Sequence, residues 1–251
     1  MSVKIRIDCF STSAYNLSIM KQQFYDINRL PNCGTIIIPL SMLALSGYQQ
    51  ASKVVEFIDF FKGKTDKITN DVVFLYTDGL YFNNNDSAYQ LRKILLRQMY
   101  EHRNAIINEI DKRKDLVPGA FHFISWNQCI LNTPNFFDYL IKMEKIASSN
   151  NLELLHCIKH DSQGRELTKE NIRFILEEAV LTHLICQKMV SLPKKSSLEN
   201  NWNLIAYPGN YLETSKFIYQ NKILPVTDNN IYANAVYDIN EKVLKTFEKV
   251  K

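Results

Sequence analysis

Two short, uninterrupted apolar runs constrain this chain more than any other feature. Thr35-Ile36-Ile37-Ile38-Pro39-Leu40 and Asp71-Val72-Val73-Phe74-Leu75-Tyr76-Thr77 have the length of strands but lack the polar alternation of a strand with one wet face. Such runs must be covered on both faces, as the central strands of a parallel sheet are. Between them, residues 46–61 carry helical spacing and end near Gly63. The segment reads strand, helix, strand, which is a right-handed crossover unit.

The remainder continues the alternation. Residues 3–9 alternate apolar and polar and predict an edge strand. A helix is predicted over 86–112, with Asp86 or Ser87 as N-cap and Leu91, Leu95, Met99, Ile106 and Ile110 as its apolar stripe. A strand is expected at 121–125, a helix at 134–148, a loop at 161–164, and a helix opened by Thr168 that runs to about 189. A polar stretch, 193–201, is expected to be mobile. It precedes a strand at 204–207 that Pro208-Gly209 halts, a helix from 210 or 211 to 219, and a last strand at 231–237. The expectation is one domain over 1–251, α/β, with a Rossmann-like doubly wound, mainly parallel sheet and helices on both faces. Ligands of such sheets bind beyond the carboxyl ends of the strands, where Ser41, Thr77, Asp78 and Tyr207 fall.

Several classes of function are disfavoured. With 46% hydrophobic and 22% charged residues the composition is globular. No apolar run approaches the roughly 20 residues of a membrane span, and residues 1–5 do not resemble a secretory leader, so a cytoplasmic, membrane-free protein is expected. The five cysteines (Cys9, Cys33, Cys129, Cys157, Cys186) are scattered and suggest free thiols. His156, Cys157 and His160 lack a second ligand pair, so no metal is expected. The glycines form neither G-x-G-x-x-G nor a Walker loop, and no G-x-S-x-G elbow is present. A Rossmann-like sheet without a phosphate cradle needs another kind of substrate. The net charge of +4 permits an acidic partner.

Four groups of residues are candidates for chemistry. Ser41 directly follows a buried strand and is either a nucleophile or an ordinary turn or cap serine. On the helix from Thr168, Glu177 lies one turn after Arg173 on what reads as a solvated face. Glu178 shares a stripe with Phe174, Leu181 and Ile185, where burial makes an unpaired carboxylate costly, so it is either paired structurally or held for proton transfer or for gripping an ammonium. Tyr207 ends an apolar strand beside the same crevice and is either a core tyrosine or a site phenol. Arg92, Lys93, Arg97 and Arg103 occupy a broad sector of the long helix. They suit a phosphate backbone, or simply solvent, since Glu101 and Glu109 dilute the charge.

Taken in order, these residues resemble the tRNA-dependent cyclodipeptide synthases, a family related in fold to the catalytic domain of class I aminoacyl-tRNA synthetases. Ile38-Pro39-Leu40-Ser41 resembles the strand-end segment whose serine is acylated, and Phe174-Ile175-Leu176-Glu177-Glu178-Ala179 resembles the tyrosine-x-x-x-glutamate-alanine helix. Ala44 with Tyr207-Pro208 is similar to the subfamily marked by a tyrosine-proline pair. Phe174 departs from the family's tyrosine, and Asn210 stands where many relatives have an aspartate. The resemblance implies an enzyme that uses two aminoacyl-tRNAs in sequence by ping-pong catalysis, without cofactor, metal or ATP; the adenylation motifs of the synthetases are absent. It implies Ser41 as nucleophile, Tyr207 as orienting or oxyanion group, and Glu178 as the grip on the ammonium and the proton carrier in peptide-bond formation. It also implies a first substrate pocket of Ile37, Pro39, Val73, Trp126, Leu181 and Ile205, with Phe174 and Asn210 as further substrate-binding positions, and tRNA contacts by Arg92, Lys93, Arg97 and Arg103. The rival expectations are a non-catalytic RNA-binding module of this fold and a transferase that passes one aminoacyl group to another acceptor.

Overall fold

The computed structural model describes residues 35–42, 44–47, 49–65, 71–78, 88–113, 121–193, 202–207, 212–226, 235–238 and 243–246. In chain order these form β1 (Thr35–Leu40), α1 (Ala51–Thr65), β2 (Val72–Tyr76), α2 (Ala88–Asp111), β3 (Phe121–Ser125) and α3 (Trp126–Cys129). They continue with α4 (Phe136–Ser148), α5 (Leu152–Asp161), α6 (Lys169–Cys186), β4 (Trp202–Tyr207), α7 (Glu213–Gln220), β5 (Ala235–Asp238) and β6 (Val243–Thr246). The predicted strand at 3–9, the caps Asp86 and Ser87, and most of the stretch 193–201 lie outside the described residues.

The six strands are ordered β3-β2-β1-β4-β5-β6. Every pairing is parallel except that of β5 with β6. This is the doubly wound order, and its direction reverses between β1 and β4. From β1 the chain moves outward through α1, β2, α2 and β3, then returns past β1 to β4. Right-handed crossovers put the helices of the two excursions on opposite faces, and the packing agrees. Helix α1 packs on α2, while α6 packs on α4 and α7, and α5 on α7.

Side-chain alternation identifies the faces. The Tyr76 hydroxyl meets His102 of α2, and Phe74 stacks on Phe123, whose ring lies under Arg103 of α2. Val72, Phe74 and Tyr76 therefore face α1 and α2, and Val73 and Leu75 face the opposite layer. The register Ile37↔Val73 and Pro39↔Leu75 carries Ile37 and Pro39 to that same layer. Ile36, Ile37, Ile38 and the whole of β2 are at most 1% exposed, which explains why neither run could tolerate polar alternation. Each such side chain contributes about 1.5–3 kcal/mol of burial.

The structure corrects several expectations. Helix α1 begins at Ala51, not Ser46, because turn hydrogen bonds precede it: Ala44 N–H donates to Ser41 O, and Gly47 and Gln49 N–H both donate to Ala44 O. Helix α5 is not evident from the sequence pattern, although Asn151 caps it by accepting from Leu154 N at 2.9 Å. Its apolar stripe is blurred by Leu152, which is 81% exposed. Strand β6, also not evident, pairs antiparallel with β5.

The largest correction concerns Glu177 of α6. Glu177, expected on a solvated face, is 5% exposed, whereas Glu178 is half-buried. Helix α6 buries residues around nearly its whole circumference, including Ile175, Leu176, Ala179, Val180 and His183, so a single-stripe reading does not apply to it. Arg173 keeps the Glu177 charge paired at 3.1 Å and reaches Glu144 of α4 at 3.4 Å, as a carboxylate at that depth requires.

Candidate active site

Three neighbouring strands end in a hydroxyl. Thr77, just past β2, donates Oγ1–H to Leu40 O at 3.1 Å, and its N–H donates to the same carbonyl at 2.9 Å. Ser125, last of β3, donates Oγ–H to Asp78 Oδ2 at 2.7 Å. Ser41, just past β1, is 8% exposed, and its Oγ makes no hydrogen bond among the described residues. The cap reading of Ser41 thus finds no bond to rest on.

The Ser41 backbone is nevertheless held firmly. Its N–H donates to Gln49 Oε1 at 2.7 Å, and Gln49 is fully buried. The Gln49 carbonyl accepts from His102 Nε2 at 2.9 Å, and His102 Nδ1 lies 2.9 Å from the Tyr76 hydroxyl. Burial lowers the His102 pKa from its ordinary value and raises that of Tyr76, so the imidazole is neutral and the phenol keeps its proton. Since a carbonyl only accepts, Nε2 carries the hydrogen and Nδ1 accepts from Tyr76.

Asp78, 4% exposed, accepts from Ser125 and from Asn127 N at 3.1 Å. Its carboxylate thereby caps the first turn of α3, which begins with Trp126. Trp126 is fully buried, edge-on to Phe136 of α4 at 5.2 Å. It thus lies on the same side of the sheet as Ile37, Pro39 and Val73.

The predicted site residues divide as follows. Ile37, Pro39, Val73, Trp126 and Leu181 are buried, and the first four belong to the face covered by α4–α7. Ile205 is the register partner of Ile37, and Tyr207 is the last residue of β4. Ser41 and Tyr207 therefore follow or end the two adjacent parallel strands between which the sheet reverses. Glu178 lies one turn past Phe174 on α6, and the Phe174 ring carries the Arg165 guanidinium at 5.3 Å. Asn210 lies outside the described residues. Arg92, Lys93, Arg97 and Arg103 are all exposed on α2, where Arg97 pairs with Glu101 at 2.8 Å and Arg103 lies over Phe123 at 5.4 Å.

A groove of about 520 Å³ separates the turns after β1 from α2. Met42, Leu45, Gln50, Glu101, His102 and Glu109 are among its walls. It opens on the α1–α2 face, away from Ile37 and Val73, and contains none of the predicted substrate residues. Among the described residues no group of three histidine, cysteine or acidic side chains is placed to hold a metal. Burial pushes the Cys129 and Cys157 thiols up to about 12, so neither is a thiolate nucleophile near neutral pH. No described helix is long and apolar enough to cross a membrane.

Sequence reasoning noted Asp78 only by position and missed Gln49 and His102. Nothing in local pattern marks a glutamine in a turn. The signal that existed was a histidine on the otherwise apolar stripe Leu95, Met99, Ile106.

The doubly wound sheet, with a serine hydroxyl beside its reversal point that is unbonded among the described residues, defines an α/β fold of Rossmann type with a candidate ligand crevice at the carboxyl edge. The sequence matches no protein-family model and no curated protein sequence. The fold is similar to that of a cyclodipeptide synthase from Fluoribacter dumoffii, with 14% identity, 74% of this chain and 81% of that one covered, and a TM-score of 0.53. It is likewise similar to a cyclodipeptide synthase from Candidatus Glomeribacter gigasporarum bound to Phe-tRNAPhe, with 17% identity, 75% and 82% covered, and a TM-score of 0.52.

Proposed function

We propose that this protein is a tRNA-dependent cyclodipeptide synthase of the tyrosine-proline subfamily. The observation that carries the reading is the Ser41 hydroxyl, which takes no hydrogen bond among the described residues and sits at the carboxyl end of β1, next to the strand that ends in Tyr207. The fold likeness to cyclodipeptide synthases, one of them bound to an aminoacyl-tRNA, supports the same substrate class.

In the proposed sequence, Ser41 Oγ attacks the carbonyl carbon of a first aminoacyl-tRNA ester. A serine ester forms, the tRNA ester bond breaks, and the serine proton passes to the leaving tRNA hydroxyl. The ester already stores the free energy of acyl transfer, so the step needs no ATP and only a modest base. The amine of the serine-bound residue then attacks the ester of a second aminoacyl-tRNA, giving a dipeptidyl-serine and a second free tRNA. The new terminal amine attacks the Ser41 ester, closes the six-membered diketopiperazine ring and returns the serine hydroxyl. Each attacking amine loses one proton and each leaving oxygen gains one. Glu178 holds the ammonium and carries these protons, and Tyr207 steadies the oxyanion. Ile37, Pro39, Val73, Trp126, Leu181 and Ile205 receive the first side chain, with Phe174 and Asn210 beside it. Arg92, Lys93, Arg97 and Arg103 attract tRNA phosphates.

Mass spectrometry of medium from cells expressing the protein is expected to show a cyclic dipeptide that disappears in Ser41→Ala. Production of the same dipeptide by that variant would refute the nucleophile. A protein that binds tRNA but transfers no acyl group would be the RNA-binding module, and a linear aminoacyl product would mark the single-transfer enzyme.

A further inference from the structure

We infer that Gln49 and His102 are positioning residues for the Ser41 nucleophile, fastening its loop to the helix that carries the basic face. The inference rests on Ser41 being the acylated residue. Gln49 is gripped at both ends: its side chain accepts the Ser41 N–H at 2.7 Å, and its carbonyl accepts His102 Nε2 at 2.9 Å. His102 is fixed in turn by Tyr76, the last residue of β2, at 2.9 Å and by an edge-on ring contact. Three elements that meet at the carboxyl edge, namely the loop after β1, the end of β2 and the middle of α2, are thus joined by one buried polar chain. These three hydrogen bonds are all satisfied by one His102 tautomer, and buried polar networks fix one arrangement more firmly than apolar contact does.

Two consequences follow for the reaction. The Ser41 N–H is committed to Gln49, so it orients the nucleophile and is not the donor that receives the oxyanion. In addition, His102 adjoins Arg103 on α2 and lies on the same rigid helix as Arg92, Lys93 and Arg97. A tRNA docked on the outer side of α2 therefore meets a nucleophile registered from its inner side. Displacing a reacting atom by about 1 Å costs on the order of a hundredfold in rate, so a loop released from Gln49 should lose acylation rate without losing tRNA.

The test uses the full chain and bulk tRNA charged with a mixture of radiolabelled amino acids, under single-turnover conditions. Wild type should acquire label that Ser41→Ala lacks. Label surviving in Ser41→Ala would fell the nucleophile reading itself, and this inference with it. Given that control, Gln49→Leu should acylate roughly 10- to 100-fold more slowly, with tRNA affinity within about twofold of wild type. Gln49→Glu, which keeps an acceptor for the Ser41 N–H, should recover most of the rate. A folded Gln49→Leu protein that acylates at the wild-type rate, however much its melting temperature falls, would show a purely structural role and overturn the inference. Amide exchange in the unsubstituted protein gives a second reading if that variant does not fold. The Ser41 N–H should be strongly protected, and exchange at the rate of an open loop amide would overturn the clamp.

Discussion

The ends of β1 and β2 look alike in sequence, each a buried apolar run followed by a hydroxyl residue, yet they are finished in opposite ways. At β2 the hydroxyl is spent: Thr77 Oγ1 bonds Leu40 O, and the next residue, Asp78, is tied to Ser125 and Asn127. At β1 it is the backbone that is secured, through Gln49, while Ser41 Oγ takes no bond among the described residues. A side chain that only closes a turn has its polar atom used in the turn. One whose backbone is clamped while its oxygen is left unengaged is set up to act on something else.

Substitutions at the two ends should separate these roles. The largest effect is expected from Ser41→Ala, with complete loss of covalent aminoacyl label and little change in melting temperature. Asp78→Ala should instead destabilise, by about 1–3 kcal/mol in denaturant titration, because Ser125 and Asn127 lose a buried acceptor. Thr77→Val should cost about 0.5–1.5 kcal/mol and leave Ser41 labelling intact, so loss of label there would erase the distinction between the ends. Charge reversal at Arg92, Lys93 and Arg97 should weaken tRNA binding and flatten its salt dependence without changing which product forms. Unaltered binding at low salt would remove tRNA from this helix.

The smallest expected effect is on pH. Burial lowers the pKa of both His102 and His183, whose Nε2 donates to Pro225 O at 2.9 Å. Both are neutral when folded and protonate more readily when unfolded. Stability should therefore fall as pH drops below the ordinary histidine value of about 6.5, with the full loss reached below the folded values. Denaturant midpoints at pH 7.5 and 5.5 measure it, and the difference should shrink in His102→Gln.

Much of this architecture is legible in the sequence, for reasons that are local. The runs 35–40 and 71–77 admit no wet face, Thr168 is an N-cap whose side chain accepts from Asn171 N at 3.2 Å, and strands alternating with helices leave few topologies besides a doubly wound sheet. Helix ends are less legible: α1 starts five residues later than its periodicity suggests because turn hydrogen bonds to the Ser41, Ala44 and Gly47 carbonyls precede it. Glu177 reads as solvated because a one-stripe pattern assumes one buried side, and α6 has neighbours on several.

The sequence by itself determined the class of fold and the strand-end positions where chemistry can be sought, since burial period and chain direction are properties of contiguous residues. Only the tertiary structure decided which of the Ser41, Thr77 and Ser125 hydroxyls takes no bond among the described residues and what holds its backbone. It also showed that Gln49, His102 and Tyr76 form one chain of hydrogen bonds. The physical reason is that a hydrogen bond depends on separation in space, and folding brings Tyr76 and Gln49 to a histidine that lies 26 and 53 residues away along the chain.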